Sequence, residues 1–473
     1  MRAHRSIALG GLLMGLASCT SARGLGPCLG AEDDPSAECG VLTVWENRDA
    51  GAGRRIGIRY MVLRASRQPA EEAPVFLLAG GPGQGGTGLA GLARGALSPV
   101  RETRDIVLVD QRGTGGSAPQ LCRSDAAGNP AVAFGHLFAP GHFRRCREEL
   151  APQADLARYT TDDAVADLDE VREHLGYRRA ILWGGSYGTR LAQAYARRHP
   201  ERVLAMVLDG VVPLDFRAPA TYARTLQQSV DRLLRECRER AGCRDSFPAL
   251  DADFDSVVAR LGRQPMPARV RPDSGPPVAV TLTLGDFGYA VRGMLYSAER
   301  RLDLPAMIHD AAARGELSGF AQRYWQRELD LGNFAFGLHL SVFCTEDVPF
   351  IRDAEVAALI AGSFIGSYLI DEYRLGCSEW GRGRGTPNAH QPLTAAIPTL
   401  LLSGWFDPVT PPETAERVMR TLSNSRHIVD RTAGHGATRR CALPAVLHVL
   451  IRASLEGLPS VCGESRAGRE SRP

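Results

Sequence analysis

The chain has 473 residues, 44 % hydrophobic and 23 % charged, an ordinary globular make-up that excludes the fibrous and disordered classes. Its net charge of +3 balances 56 basic against 53 acidic residues, and every basic residue is arginine because lysine is absent. So even a balance gives no electrostatic case for a nucleic-acid partner.

At the start, Arg2 and Arg5 precede an apolar run over 7–17 that ends in small residues. The run is too short to span a membrane and reads as an export signal over residues 1–19. Its end, Leu16-Ala17-Ser18-Cys19, resembles the lipobox of bacterial lipoproteins, which implies lipidation of Cys19 and a membrane partner through that lipid. An ordinary signal cut nearby, with Cys19 incidental, is the competing reading. Setting Cys19 aside leaves ten cysteines, an even number that in an exported chain favours disulfides. They fall as local couples, Cys28/Cys39, Cys122/Cys146, Cys237/Cys243, Cys344/Cys377 and Cys441/Cys462, and sequential pairing is the expectation. No cysteine or histidine spacing suits zinc.

Two alternating stretches around Gly51-Ala52-Gly53 predict a hairpin over 39–65. "PVFLLAG" (74–80) and "DIVLVDQRG" (105–113) are the continuous apolar runs of strands buried on both faces. "TTDDAVADLDEVREHLG" begins with capping residues and ends in glycine, as a helix should. "AILWGGS" then reads as a strand, 187–199 as a helix stopped by Pro200, and "VLAMVLDGVV" as another strand. This alternation predicts an α/β fold with a mainly parallel sheet, the N-terminal core spanning 28–213. Residues 214–391 lose the rhythm and read as a mostly helical insertion. The core resumes over 392–462 with "IPTLLLSGWFDP", "PPETAERVMRTL", "RHIVD" and a closing helix, and the tail 463–473 is expected to be disordered.

Gly184-Gly185-Ser186-Tyr187-Gly188 fits the nucleophile-elbow pattern Gly-x-Ser-x-Gly between a strand and a helix, the setting that this motif requires. An inert serine in a tight turn is the bland alternative. A serine hydroxyl attacks only when a positioned base takes its proton, so an acid and a histidine are needed on later strand ends, in that order. Asp407 follows the strand "LLLSG" and His435 lies in the glycine-flanked loop after the next strand. Asp209, also just past a strand, is the rival acid, while His199 reads as a helix-terminal residue. The glycine-rich "LAGGPGQGGTG" (78–88) lacks a following Gly-Lys-Ser/Thr, so nucleotide binding is poorly supported and no cofactor is expected. Placed after a strand, it suits the loop that donates one oxyanion N–H; Gly81 and Tyr187 are the expected donors.

Taken in order, "GGPGQGG", "VLVDQRGTGGS", "GGSYGT", "LDGVVP", "GWFDPVTPP" and "GHG" resemble the α/β-hydrolase peptidases of the prolyl iminopeptidase and tripeptidyl aminopeptidase group, across about 40–215 and 392–440. The resemblance implies an α/β-hydrolase fold with an eight-stranded sheet, a helical cap, and a Ser186-Asp407-His435 triad. It also implies release of short peptides or single residues from substrates with free N-termini. Ala79 stands where iminopeptidases commonly carry histidine, which favours the tripeptidyl branch. A bound α-amine needs a carboxylate, and "SVFCTEDVPF" offers Glu346 and Asp347, although a solvated acidic pair explains them equally well. An esterase using the same triad and a non-catalytic binding lipoprotein are the rival readings.

Overall fold

The computed structural model describes residues 26–28, 34–122, 129–330 and 334–462. The expected signal with Cys19 and the tail 463–473 lie outside these residues. In chain order the strands are β1 (Gly26–Pro27), β2 (Ala37–Trp45), β3 (Arg55–Leu63), β4 (Val75–Leu78), β5 (Ile106–Val109), β6 (Ala180–Gly185), β7 (Val203–Asp209), β8 (Met266–Val270), β9 (Val278–Leu282), β10 (Thr399–Gly404) and β11 (Ser425–Asp430). One nine-stranded sheet runs β1-β2-β3-β5-β4-β6-β7-β10-β11. Its first strand is two residues long, so eight strands of ordinary length remain. β2, β3 and β5 pair antiparallel, and every pairing from β5 to β11 is parallel.

Period-two alternation sends the side chains of the central strands into two separate cores. Phe76, Leu78, Val107, Val109, Leu182 and Leu208 pack on one face against helices Thr161–His174, Tyr187–Arg198 and Pro412–Met419. Val75, Leu77, Ile106, Leu108, Ile181 and Val207 point the other way, against helices Ala90–Arg94 and Leu443–Arg452. Helix Thr161–His174 starts where the Thr160 hydroxyl accepts the Asp163 N–H. Asp162 and Asp163 occupy its positive first turn, and Arg172 and His174 its last.

Between β7 and β10 the chain builds a layer over the C-terminal strand ends, including helices Tyr222–Glu239, Leu284–Leu295, Phe336–Glu346 and Tyr368–Trp380. Tyr222, Leu226, Val230, Leu233 and Cys237 recur at helical spacing and bury one face of the first of these. The layer also contains an antiparallel hairpin, β8–β9, that the sequence reading missed. All five cysteine couples are joined as sequential disulfides, and Cys344–Cys377 ties two of the covering helices together. Among the described residues, no helix is long and apolar enough to cross a membrane.

Candidate active site

Ser186 occupies the turn between β6 and helix Tyr187–Arg198 with φ 54° and ψ −123°. A residue with a side chain held there stores strain on the order of 1–3 kcal/mol, and surrounding contacts must maintain it. Its N–H donates to the Asp209 carbonyl at 2.8 Å, and its own carbonyl accepts the Thr189 N–H and hydroxyl. The flanking glycines are required by packing: a Cβ on Gly188 would lie 2.1 Å from the Leu78 carbonyl oxygen, and one on Gly184 2.4 Å from that of Gly188. With them strand and helix close up, and Ser186 is carried into a cavity of about 920 Å³.

Asp407, fully buried in the turn after β10, accepts the Val409 and Thr410 N–H groups on Oδ1 at 2.8 and 2.9 Å. Its Oδ2 accepts the Thr410 hydroxyl and His435 Nδ1–H, each at 2.7 Å. Burial disfavours the carboxylate, yet His435 and these donors hold its pKa below the usual value. For His435 burial opposes the charged ring, and the Asp407 carboxylate overcomes it, raising the imidazole above its ordinary value. With Nδ1 committed, Nε2 is left for proton transfer, and His435 shares the cavity wall with Ser186. The Tyr296 carbonyl accepts the His435 backbone N–H, and the Tyr296 ring packs 4.7 Å from the imidazole.

Asp209 does not bond the imidazole. Its carboxylate accepts the backbone N–H groups of Ala437 and Thr438, both at 2.8 Å, and so anchors the loop that carries His435. Helix Tyr222–Glu239 grips the Asp407 turn from above: Thr225 and Ser229 donate hydroxyls to the carbonyls of Pro408 and Asp407, and Arg232 donates to that of Trp405. Sequence reasoning missed these three, although polar residues at 225, 229 and 232 line one helical face and could have signalled a buried polar contact.

Gly81 lines the cavity with φ 108°, and its loop runs close beside the elbow, since a Cβ on Gly80 would lie 3.1 Å from the Ser186 Cβ. Tyr187 opens the elbow helix. Neither of these two N–H groups donates to another backbone carbonyl among the described residues. The Tyr187 side chain points away, its hydroxyl 2.8 Å from that of Thr161.

The expected amine-binding role of Glu346 and Asp347 is corrected by their positions. Neither lines the cavity. Glu346 accepts the Thr161 N–H and hydroxyl, both at 2.6 Å, and Asp347 takes Arg190 Nη1 on both oxygens at 3.0 and 2.9 Å. Burial pushes both carboxyls up, while Arg190 pulls them down. Arg190 lies one turn beyond the elbow, so this buried network fastens helix Phe336–Glu346 to the helix that starts at Ser186. The covering layer instead gives the cavity an aromatic wall, with Tyr222, Phe334, Phe336, Phe343 and Tyr373.

Strand order, elbow and acid–histidine pair together define an α/β-hydrolase fold, and two families match parts of the chain: residues 73–260 match the one described as alpha/beta hydrolase fold, and 362–462 that described as TAP-like protein. Within that fold it is a hydrolase related to peptidases. It is 27 % identical over 397 residues to "Serine protease Hip1" of Mycobacterium tuberculosis strain H37Rv, covering 75 % of this chain and 73 % of that protein. It is 36 % identical over 138 residues to "Proline iminopeptidase" of Neisseria meningitidis serogroup B, covering 29 % of this chain and 32 % of that protein. A "Probable proline iminopeptidase" of Streptomyces coelicolor is 31 % identical over 195 residues, 41 % of this chain and 49 % of its own length.

Proposed function

We propose that the protein is an exported serine peptidase that cleaves short pieces from the N-termini of peptides, with Ser186 as nucleophile, His435 as general base and acid, and Asp407 as the group that orients it. The observation that carries this reading is the 2.7 Å Asp407–His435 bond beside a serine held at positive φ in the same cavity. His435 Nε2 takes the Ser186 Oγ proton as Oγ attacks the scissile carbonyl, then delivers it to the departing amine, and water releases the acyl group by the reverse exchange. The N–H groups of Gly81 and Tyr187 receive the developing oxyanion. In this reading a core over 28–213 and 392–462 carries the catalytic residues and the stretch 214–391 serves as a cap, joined by Phe138, Phe143 and Cys146, which pack in the same cluster as the covering helices. Residues of the covering layer, among them Tyr222, Phe336, Phe343 and Tyr373, wall the cavity that holds Ser186, and a walled cavity suits chain ends better than internal bonds. Export is supported by five disulfides, and the N-terminal lipobox adds a lipid anchor at Cys19.

One observation favours a carboxylesterase as second reading. Among the described residues, no lining carboxylate is available to an amine inside the cavity: Asp209 is held by the His435 loop, and exposed Glu299 pairs with Arg440. Comparing kcat/KM on a tripeptidyl aryl amide with a free N-terminus, its N-acetylated form and a simple aryl ester decides between them. The peptidase reading expects the free amine to be strongly preferred; better ester turnover, indifferent to acetylation, would replace it with the esterase.

A further inference from the structure

Arg292, on helix Leu284–Leu295, lines the cavity and is only 6 % exposed. A guanidinium stays protonated at any working pH, and burying such a charge without a partner is costly. Three other buried arginines of this chain have one: Arg112 is forked onto Asp167, Arg190 Nη1 meets both Asp347 oxygens, and Arg301 meets Glu236. Among the described residues, no carboxylate forms an ion pair with Arg292. Its Nη2 donates to the Tyr296 hydroxyl at 3.2 Å, and among the described residues Nε is buried without an acceptor. Rings of Tyr222, Tyr296 and Tyr289 surround the guanidinium carbon at 4.8, 5.3 and 5.9 Å. Their faces offset part of the charge and leave Nε without an acceptor.

We infer that Arg292 is a specificity residue that receives a substrate carboxylate, so that the preferred substrates are short anionic peptides. A carboxylate matches the planar guanidinium fork with two parallel hydrogen bonds, and the burial of Arg292 among three tyrosine rings weakens their screening. The carboxylate binds near the reacting bond, because one ring, that of Tyr296, separates Arg292 from His435. Of the other charged residues lining the cavity, Asp209 holds backbone N–H groups, Glu299 and Arg440 pair at the exposed rim, and Arg439 is exposed, where water screens its charge. Two groups supply this chemistry, an Asp or Glu side chain on the acyl side and the C-terminal carboxylate of a short peptide.

The inference rests on the hydrolytic reading for its substrate, and its test separates the two. In the full chain, kcat/KM is compared for tripeptidyl aryl amides differing as Glu against Gln, and for neutral tetrapeptides with a free or amidated C-terminus. A preference of about tenfold or more for the acid in one pair identifies the source, and in Arg292→Met that ratio falls toward one. Arg292→Lys, which keeps the charge and loses the fork, gives an intermediate ratio. No preference in either pair, or a ratio unchanged in Arg292→Met, overturns the assignment. Glutarate binding to Ser186→Ala by calorimetry, weakened about tenfold or more by added Arg292→Met, supports the anion site even if no peptide is cleaved. Glutarate binding that is absent, or indifferent to Arg292, refutes it.

Discussion

Asp407 and Asp209 both follow apolar strands and both lie near His435, yet they meet different atoms. Asp407 bonds the imidazole, whereas Asp209 bonds the backbone beyond it. Asp407→Asn should therefore lower kcat by about 10³–10⁴-fold with the fold intact, because the amide favours the wrong tautomer. Asp209→Asn should instead lower Tm and loosen the 435–438 loop, which hydrogen exchange would reveal. If the two variants exchanged phenotypes, the acid assignment would be wrong. The raised His435 pKa sets opposite requirements for catalysis and stability. In its proposed role as base His435 must be deprotonated, so kcat/KM should rise with pH to a half-point above the free imidazole value of about 6.5, and Asp407→Asn should bring that half-point down. For stability the charged ring is the favoured form. Its contribution is fully present below about 6.5 and is lost as pH rises through the raised value. A pH–rate half-point below about 6 would contradict the pairing.

The elbow helix is held from behind by the covering layer. Arg190 and Asp347 are both buried, so removing one leaves an uncompensated charge, and Asp347→Ala should destabilise by about 3–5 kcal/mol. The double variant Arg190→Met/Asp347→Leu should regain most of that loss, as thermal or chemical unfolding would show. A Tm unchanged in Asp347→Ala would mean that the pair is not closed in solution. The Cys344–Cys377 bridge closes a loop of 33 residues between two cavity-lining helices. Replacing both cysteines by serine should cost about 2–4 kcal/mol and raise KM more than it lowers kcat, since the aromatic wall loosens while the Ser186 turn stays anchored in the core.

At the scale of the whole molecule, the sheet was legible because each central strand is a continuous apolar run bounded by turn residues. Parallel strands buried on both faces demand that pattern. The turns bearing Ser186, Asp407 and His435 were legible for the same reason, since each ends such a strand. β8 and β9 were not, because each buries only two side chains, Ala268 and Val270 against Val280 and Leu282, within an arginine-rich helical stretch. Glu346 and Asp347 were misread because adjacent acids at a helix end look alike whether they face a ligand, solvent or a distant Arg190. Only tertiary packing distinguishes these cases. Arg292 was hidden among 56 basic residues, since the absence of a partner leaves no trace in the sequence. The central claim is that this packing makes one serine reactive. Labelling the folded protein with a fluorophosphonate and mapping the adduct by peptide mass spectrometry tests it most directly. The account predicts one adduct, on Ser186, lost in Ser186→Ala and slowed in Asp407→Asn; an adduct on another serine, or none on the folded protein, would contradict it.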